Sequence, residues 1–213
     1  MKPVSKYRLN KRHIARALGI AAERDERIAV ALARVGVPEA RERSHGFGSL
    51  ARIVVGQQVS TRAAEAITAR LVATLDGRLE PHCIAASGVD TLRGAGLSRQ
   101  KVTYLKSLAD AVLTGDLPLD ELPLMSDDEV LDRITAVHGF GVWSAQMYLM
   151  FSLGRTDIWP VGDLAVRVGF GRLMGLSSRP TPGETGQLAE PFAPYRSSLA
   201  LLCWHYYATV PAE

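Results

Sequence analysis

Cysteine is nearly absent from this 213-residue chain, and only Cys83 and Cys203 occur. Two thiols are too few for a disulfide scaffold, a four-thiolate zinc site or a four-cysteine iron–sulfur cluster. Both are expected as free thiols of a reducing compartment. Long hydrophobic runs are also missing. The longest uncharged stretch, 197–212, is interrupted by Ser, His and Tyr and is shorter than the roughly 20 apolar residues that a spanning helix needs. The first twenty residues carry Lys2, Lys6, Arg8, Lys11, Arg12 and Arg16 but no apolar core, so no secretory leader is expected. A cytoplasmic location without a membrane partner follows as the expectation. The 19 Gly and 11 Pro form no repeat, which excludes collagen-like and linker architectures.

What remains is an ordinary globular composition, 47% hydrophobic and 22% charged, with room for one generous domain or two small ones. The net charge is only +3, but it is unevenly spread. Residues 1–22 hold six Lys or Arg and no acid. Such a segment is either a nucleic-acid arm or a solvated tail. Arginine, the dominant cation, suits bidentate phosphate contacts.

The periodicity is helical throughout. Residues 24–35 alternate charges with an apolar stripe and stop at Gly36-Val37-Pro38. Phe47, Leu50, Ile53 and Val54 continue at helical spacing to Gln57-Gln58. Ser60 is placed to cap a helix with Ala63, Ala64, Ile67, Leu71 and Leu75 on one face, and Ser98 one with Val102, Leu105, Leu108, Ala109 and Val112. Ser126 and Glu129, three apart, fit a capping box that opens a helix carrying Val130, Leu131, Ile134 and Val137. No run alternates with period two between turn signals. The predicted class is all-α, with ten or so helices.

Two segments repeat a pattern of apolar-x-Gly-x-Gly-apolar: Leu92 to Leu97, and Val137 to Val142. Paired glycines permit a tight hairpin, and a hairpin feeding a helix presents backbone N–H groups to an anion. A plain helix–helix turn is the competing reading.

The second hairpin continues Val137-His138-Gly139-Phe140-Gly141-Val142-Trp143-Ser144, and Asp163 follows Trp143 by twenty residues. This resembles the helix–hairpin–helix and Gly/Pro…Asp superfamily of DNA base-excision glycosylases. The segment Ile53-Val54-Val55-Gly56-Gln57-Gln58-Val59-Ser60 is similar to its alkylated-purine branch, the DNA-3-methyladenine glycosylase II type. So is Pro194-Tyr195-Arg196-Ser197 followed by Trp204. The four motifs stand in the order that the branch shows.

The resemblance implies two helical subdomains, 50–160 and 1–49 with 161–213, flanking a DNA-binding cleft. It implies double-stranded DNA with damaged bases as partner, a monomer, no cofactor, and no metal held by side chains. A monovalent cation at the hairpin carbonyls is a further implication. Asp163 would be the catalytic carboxylate, since glycosidic cleavage builds positive charge on the sugar; by itself it reads as a helix N-cap. Asp157 is read as a structural hydrogen-bonding residue. Trp143, Trp204, Met147, Tyr148, Trp159 and Phe47 are the candidates for the base pocket, Trp143 and Trp204 first. A cationic alkylated purine is attracted to an indole face. The branch often has Tyr where this chain has Met147, and Tyr148 would point about 100° away. Gln57, Gln58, Ser60, Gly139, Phe140, Gly141 and Ser144 would meet DNA, with Gln58 filling the gap left by a flipped base. Relatives that also cut the backbone carry a Schiff-base Lys where this chain has Trp143, so a monofunctional enzyme is implied. Alternatives are a glycosylase for deaminated or mismatched bases and a non-catalytic DNA-binding module.

Overall fold

The structure, a computed structural model, describes residues 8–211. Lys2 and Lys6 of the basic segment lie outside the described residues. The helices are α1 Lys11–Arg24, α2 Glu26–Val35, α3 Phe47–Gly56, α4 Thr61–Thr74, α5 Pro81–Ala86, α6 Val89–Gly94, α7 Arg99–Thr114, α8 Asp127–Thr135, α9 Val142–Phe151, α10 Leu164–Leu173, α11 Pro182–Ala189 and α12 Arg196–Thr209. Short 3-10 turns lie at Leu122–Leu124 and Glu190–Phe192. No strand occurs among the described residues, so the all-α class holds.

The helix starts are chemical. Ser60 accepts the Ala63 N–H, Ser98 the Lys101 N–H, and Ser126 exchanges hydrogen bonds with Glu129. Each satisfies a donor that an open helix end leaves unpaired. Asn10 and Thr181 cap α1 and α11 in the same way. The apolar stripe expected from Arg24 onward begins earlier than the sequence suggested. Ile14, Ala17, Leu18 and Ala21 are buried on α1, and Asp25 ends that helix while its carboxylate caps α2 at the Arg27 N–H. Lys11, Arg12 and Arg16 are thus helical residues. Lys11 forms an exposed ion pair with Glu39 at 3.2 Å, a contact worth little in water.

Contacts divide the chain into two compact units. The first, 43–153, is built on α3, whose Leu50, Ala51, Val54 and Val55 are fully buried and which packs on α4, α7 and α9. The boundary falls at 42/43 because the 43–49 stretch is stitched to the end of α9. The Arg43 N–H donates to the Phe151 carbonyl at 2.8 Å, and the Ser49 and Ser152 hydroxyls meet at 2.6 Å.

The second unit, described over 8–42 and 154–211, is built on α12. Leu199 to Cys203 are buried, and α12 packs on α1, α2 and α10. The long uncharged stretch is therefore a core helix. No described helix is long and apolar enough to cross a membrane. Residues 154–160 belong here because the Ser197 N–H donates to the Thr156 carbonyl, and the Ile158 N–H to the Ser197 hydroxyl at 2.8 Å. The α10–α12 crossing is unusually close. A Cβ added at Gly169 would lie 2.1 Å from the Cys203 carbonyl oxygen, inside any van der Waals contact.

Gly169→Ala should therefore destabilise the chain by about 2–3 kcal/mol or more, the range of an overpacked core. Urea unfolding monitored by circular dichroism reads it. Wild-type stability would show that α10 and α12 are further apart than described.

Candidate active site and nucleic-acid interface

Asp163 is the residue before α10 and caps it: Oδ1 accepts the Val166 N–H at 2.9 Å. The same oxygen accepts the indole N–H of Trp204 at 3.1 Å. Structural cap and candidate carboxylate are thus one group, held at half-burial by a helix end and by α12. A turn delivers it there, with the Asp163 N–H donating to the Pro160 carbonyl at 2.9 Å. The carboxylate's field reaches the neighbouring helix. Burial first, and the Asp163 charge second, push the Cys203 thiol well up, so this free cysteine stays a protonated, inert core residue.

Asp157 has a different task. Arg196 grips it with two parallel hydrogen bonds, Nε to Oδ1 at 2.7 Å and the terminal nitrogen to Oδ2 at 2.8 Å. The carboxylate in turn raises the pKa of Arg196. Together with Ser197, this pair fastens the 156–158 backbone to the start of α12. The Tyr-Arg-Ser motif is the clamp that sets Trp204's helix against the segment leading to Asp163.

The other candidate rings separate sharply. Trp204 is half-buried, with the Arg41 guanidinium carbon 5.5 Å from its ring centroid; sequence reasoning missed Arg41, which carries no motif. Trp143, in the first turn of α9, is 37% exposed. Trp159 is buried, donates its N–H to the Thr185 carbonyl at 3.1 Å and packs edge-on against Phe170, so the structure assigns it to the core of its unit. Phe47 and Met147 are buried as well.

Tyr148 has no exposed surface and offers no face to a base. Its phenol oxygen accepts the Gly46 N–H at 3.1 Å and meets His45 Nδ1 at 2.6 Å. Burial lowers the His45 pKa and favours its neutral ring, an acceptor for the phenol proton. The one-position offset from Met147 sends this ring inward.

The second hairpin rests on two supports. Gly139 has φ +95°, and a Cβ there would overlap Tyr104 of α7, 2.1 Å from its Cγ. The Gln57 side-chain amide donates to the Gly139 carbonyl at 3.0 Å and reaches the Ser144 hydroxyl at 3.4 Å. Ser144 is buried and serves this tether rather than a surface contact; Phe140 is buried too. Gly141, by contrast, is exposed, and it precedes α9 without any side-chain cap. The helix start is left to an external acceptor. Gln58 stands exposed with φ +55°, a left-handed backbone that costs a non-glycine residue about 1 kcal/mol. Ser60 is exposed and caps α4. An open groove of about 550 Å³ runs along Gln57, Gln58, Ser98, Lys101 and the hairpin.

The first hairpin is closed. Arg70 Nε donates to the Ala95 carbonyl at 3.0 Å, and a Cβ at Gly96 would lie 2.7 Å from the same guanidinium. The repeat in sequence is a repeat of turn shape, with only the second copy left open.

A profile of the HhH-GPD superfamily of base excision DNA repair proteins matches residues 51–194. DNA-3-methyladenine glycosylase 1 of Schizosaccharomyces pombe is 33% identical over 166 residues, 76% of this chain and 73% of that protein. The solved 3-methyladenine DNA glycosylase of the same yeast, in complex with abasic DNA, superposes with a TM-score of 0.82 at 31% identity, covering 89% of this chain and 95% of that one. A DNA-3-methyladenine glycosidase from Bacillus halodurans gives 0.79 at 28% identity, covering 92% and 89%. The chain belongs to the HhH-GPD superfamily of base excision DNA repair proteins.

Burial holds the Tyr148 pKa up at about 12, above the ordinary value near 10. Its contribution to stability is fully present below about pH 10 and is lost as the pH rises toward 12. Absorbance titration of the six tyrosines should show one ionising last. Tyr148→Phe should remove that last step and cost about 1–2 kcal/mol at neutral pH, because the Gly46 N–H loses its acceptor. A titration curve identical to wild type would place the phenol in solvent.

Proposed function

We propose that this chain is a monofunctional DNA glycosylase that releases alkylated purines of the 3-methyladenine type from double-stranded DNA and leaves an abasic site. The observation that carries it is Asp163, a half-buried carboxylate fixed by a helix N–H and an indole N–H in a chain whose relatives are DNA-3-methyladenine glycosylases.

The chemistry follows from the charge. As the bond from C1′ to the purine nitrogen breaks, its electron pair leaves with the base and the sugar becomes cationic. The Asp163 carboxylate stabilises that cation, water adds to C1′, and its proton is lost to the carboxylate or to solvent. The cap hydrogen bond and the Trp204 N–H keep the carboxylate in place before the reaction begins, so little reorganisation remains. Trp204 and exposed Trp143 supply aromatic faces for an extruded base.

Gln57 and Gln58 divide the labour. Gln57 is committed to the hairpin, whereas Gln58 projects into solvent and is suited to enter the gap in the duplex. The uncapped start of α9 at Gly141 is suited to a backbone phosphate. A monovalent cation at the hairpin would have to share carbonyls already in use, since those of Val137, Gly139 and Gly141 accept protein N–H groups. All these groups come from one chain, so the enzyme is proposed to act as a monomer.

Asp163→Asn isolates the charge, because Asn caps a helix as well as Asp and its amide oxygen can still accept both N–H groups. Base release from 3-methyladenine DNA should fall by on the order of a hundredfold or more, while DNA affinity changes little. Near wild-type turnover would remove Asp163 from the mechanism. Release of uracil or hypoxanthine in preference to methylated purines would favour a deaminated-base enzyme, and binding without release a non-catalytic module.

Borohydride should trap no protein–DNA adduct, since Trp143 has no amine to form a Schiff base. The product strand should stay intact. Efficient trapping would show a bifunctional enzyme.

A further inference from the structure

Trp204 is engaged twice, its N–H by Asp163 and its ring by Arg41, whose guanidinium carbon lies 5.5 Å from the centroid. Arg41 is exposed and lies between α2 and α3 in a stretch without helix. Its acidic neighbour Glu39 is paired with Lys11. A permanent cation therefore stands over the indole that also touches the candidate carboxylate.

We propose that Arg41 is a specificity-determining residue that restrains the preference for positively charged bases and widens the range toward neutral ones. The inference rests on the glycosylase reading above. A cationic purine departs as a neutral molecule and needs little help, whereas a neutral purine departs less readily. A bare indole beside a carboxylate would add to that bias, since both attract a positive ring. Arg41 opposes it. A base that stacks on the Arg41 face displaces the guanidinium, which stays tethered within a few ångströms. A base on the opposite face meets the same charge across the ring. In either arrangement a cationic base is repelled, whereas a neutral base is not and can itself stack with the guanidinium. Two like charges at such a spacing in water-like surroundings change a rate ratio by roughly fivefold.

The test is the ratio of single-turnover rates on duplexes carrying 7-methylguanine, which is cationic, and 1,N6-ethenoadenine, which is neutral. Wild type, Arg41→Gln and Arg41→Lys are compared. The cationic-to-neutral ratio should rise ~3- to 10-fold in Arg41→Gln and stay within about twofold of wild type in Arg41→Lys, which keeps the charge. A structural role for Arg41 would slow both substrates alike, and an unchanged ratio overturns the proposal. So does a ratio that falls, or a wild-type chain that releases 7-methylguanine but no neutral base. A wild-type chain that releases neither overturns the glycosylase reading itself and the inference with it.

Discussion

The close approach of α10 and α12 at Gly169 is the constraint on which the candidate active site depends. One missing side chain lets a helix backbone rest against the Cys203 carbonyl. The next residue of α12 is Trp204, and the first turn of α10 is capped by Asp163. The indole N–H therefore meets the carboxylate because two backbones touch. The hydrogen bond at 3.1 Å is the visible end of that packing, and the raised Cys203 thiol records the same proximity electrostatically.

A second constraint holds the first in register. Arg196 and Ser197 at the start of α12 bind Asp157 and the 156–158 backbone, and the chain then turns through Pro160 into Asp163. A helix anchored at its first residues and again at its middle cannot rotate, so Trp204 presents a fixed edge. This accounts physically for a motif, Tyr-Arg-Ser with a distant Trp, whose members never touch a substrate together. Its early residues build the site, and only its last one belongs to it.

The unit over 43–153 follows a parallel logic with backbone in place of charge. Tyr104 fills the space beneath Gly139, and Gln57 ties off the Gly139 carbonyl. The hairpin is thereby rigid while Gly141 stays open at the head of α9. The first hairpin has the same glycine spacing, yet Arg70 covers it. Identical local sequence thus yields one open turn and one closed turn, and the difference lies in which side chain α4 or α7 happens to bring up.

Helical periodicity and capping chemistry were legible in the sequence because both are local. Ser60, Ser98, Ser126 and Glu129 act within one turn of themselves, and no partner elsewhere is needed to place them. Motif order was enough to single out Asp163, Trp143, Trp204 and Gln58 as candidates. Which aromatic residues keep a face available was not legible. Trp159 and Tyr148 look as suitable as Trp204 in composition, but one spends its N–H on Thr185 and the other its phenol on Gly46 and His45. Those partners are distant in sequence, and only tertiary packing selects them. The same holds for Arg41, which no motif marks and which is notable solely because the fold sets it over Trp204. The sequence by itself determined the helices, their ends and the type of chemistry. Tertiary structure decided which side chains remain to perform it, because burial and long-range hydrogen bonds are properties of the packed chain and not of any segment.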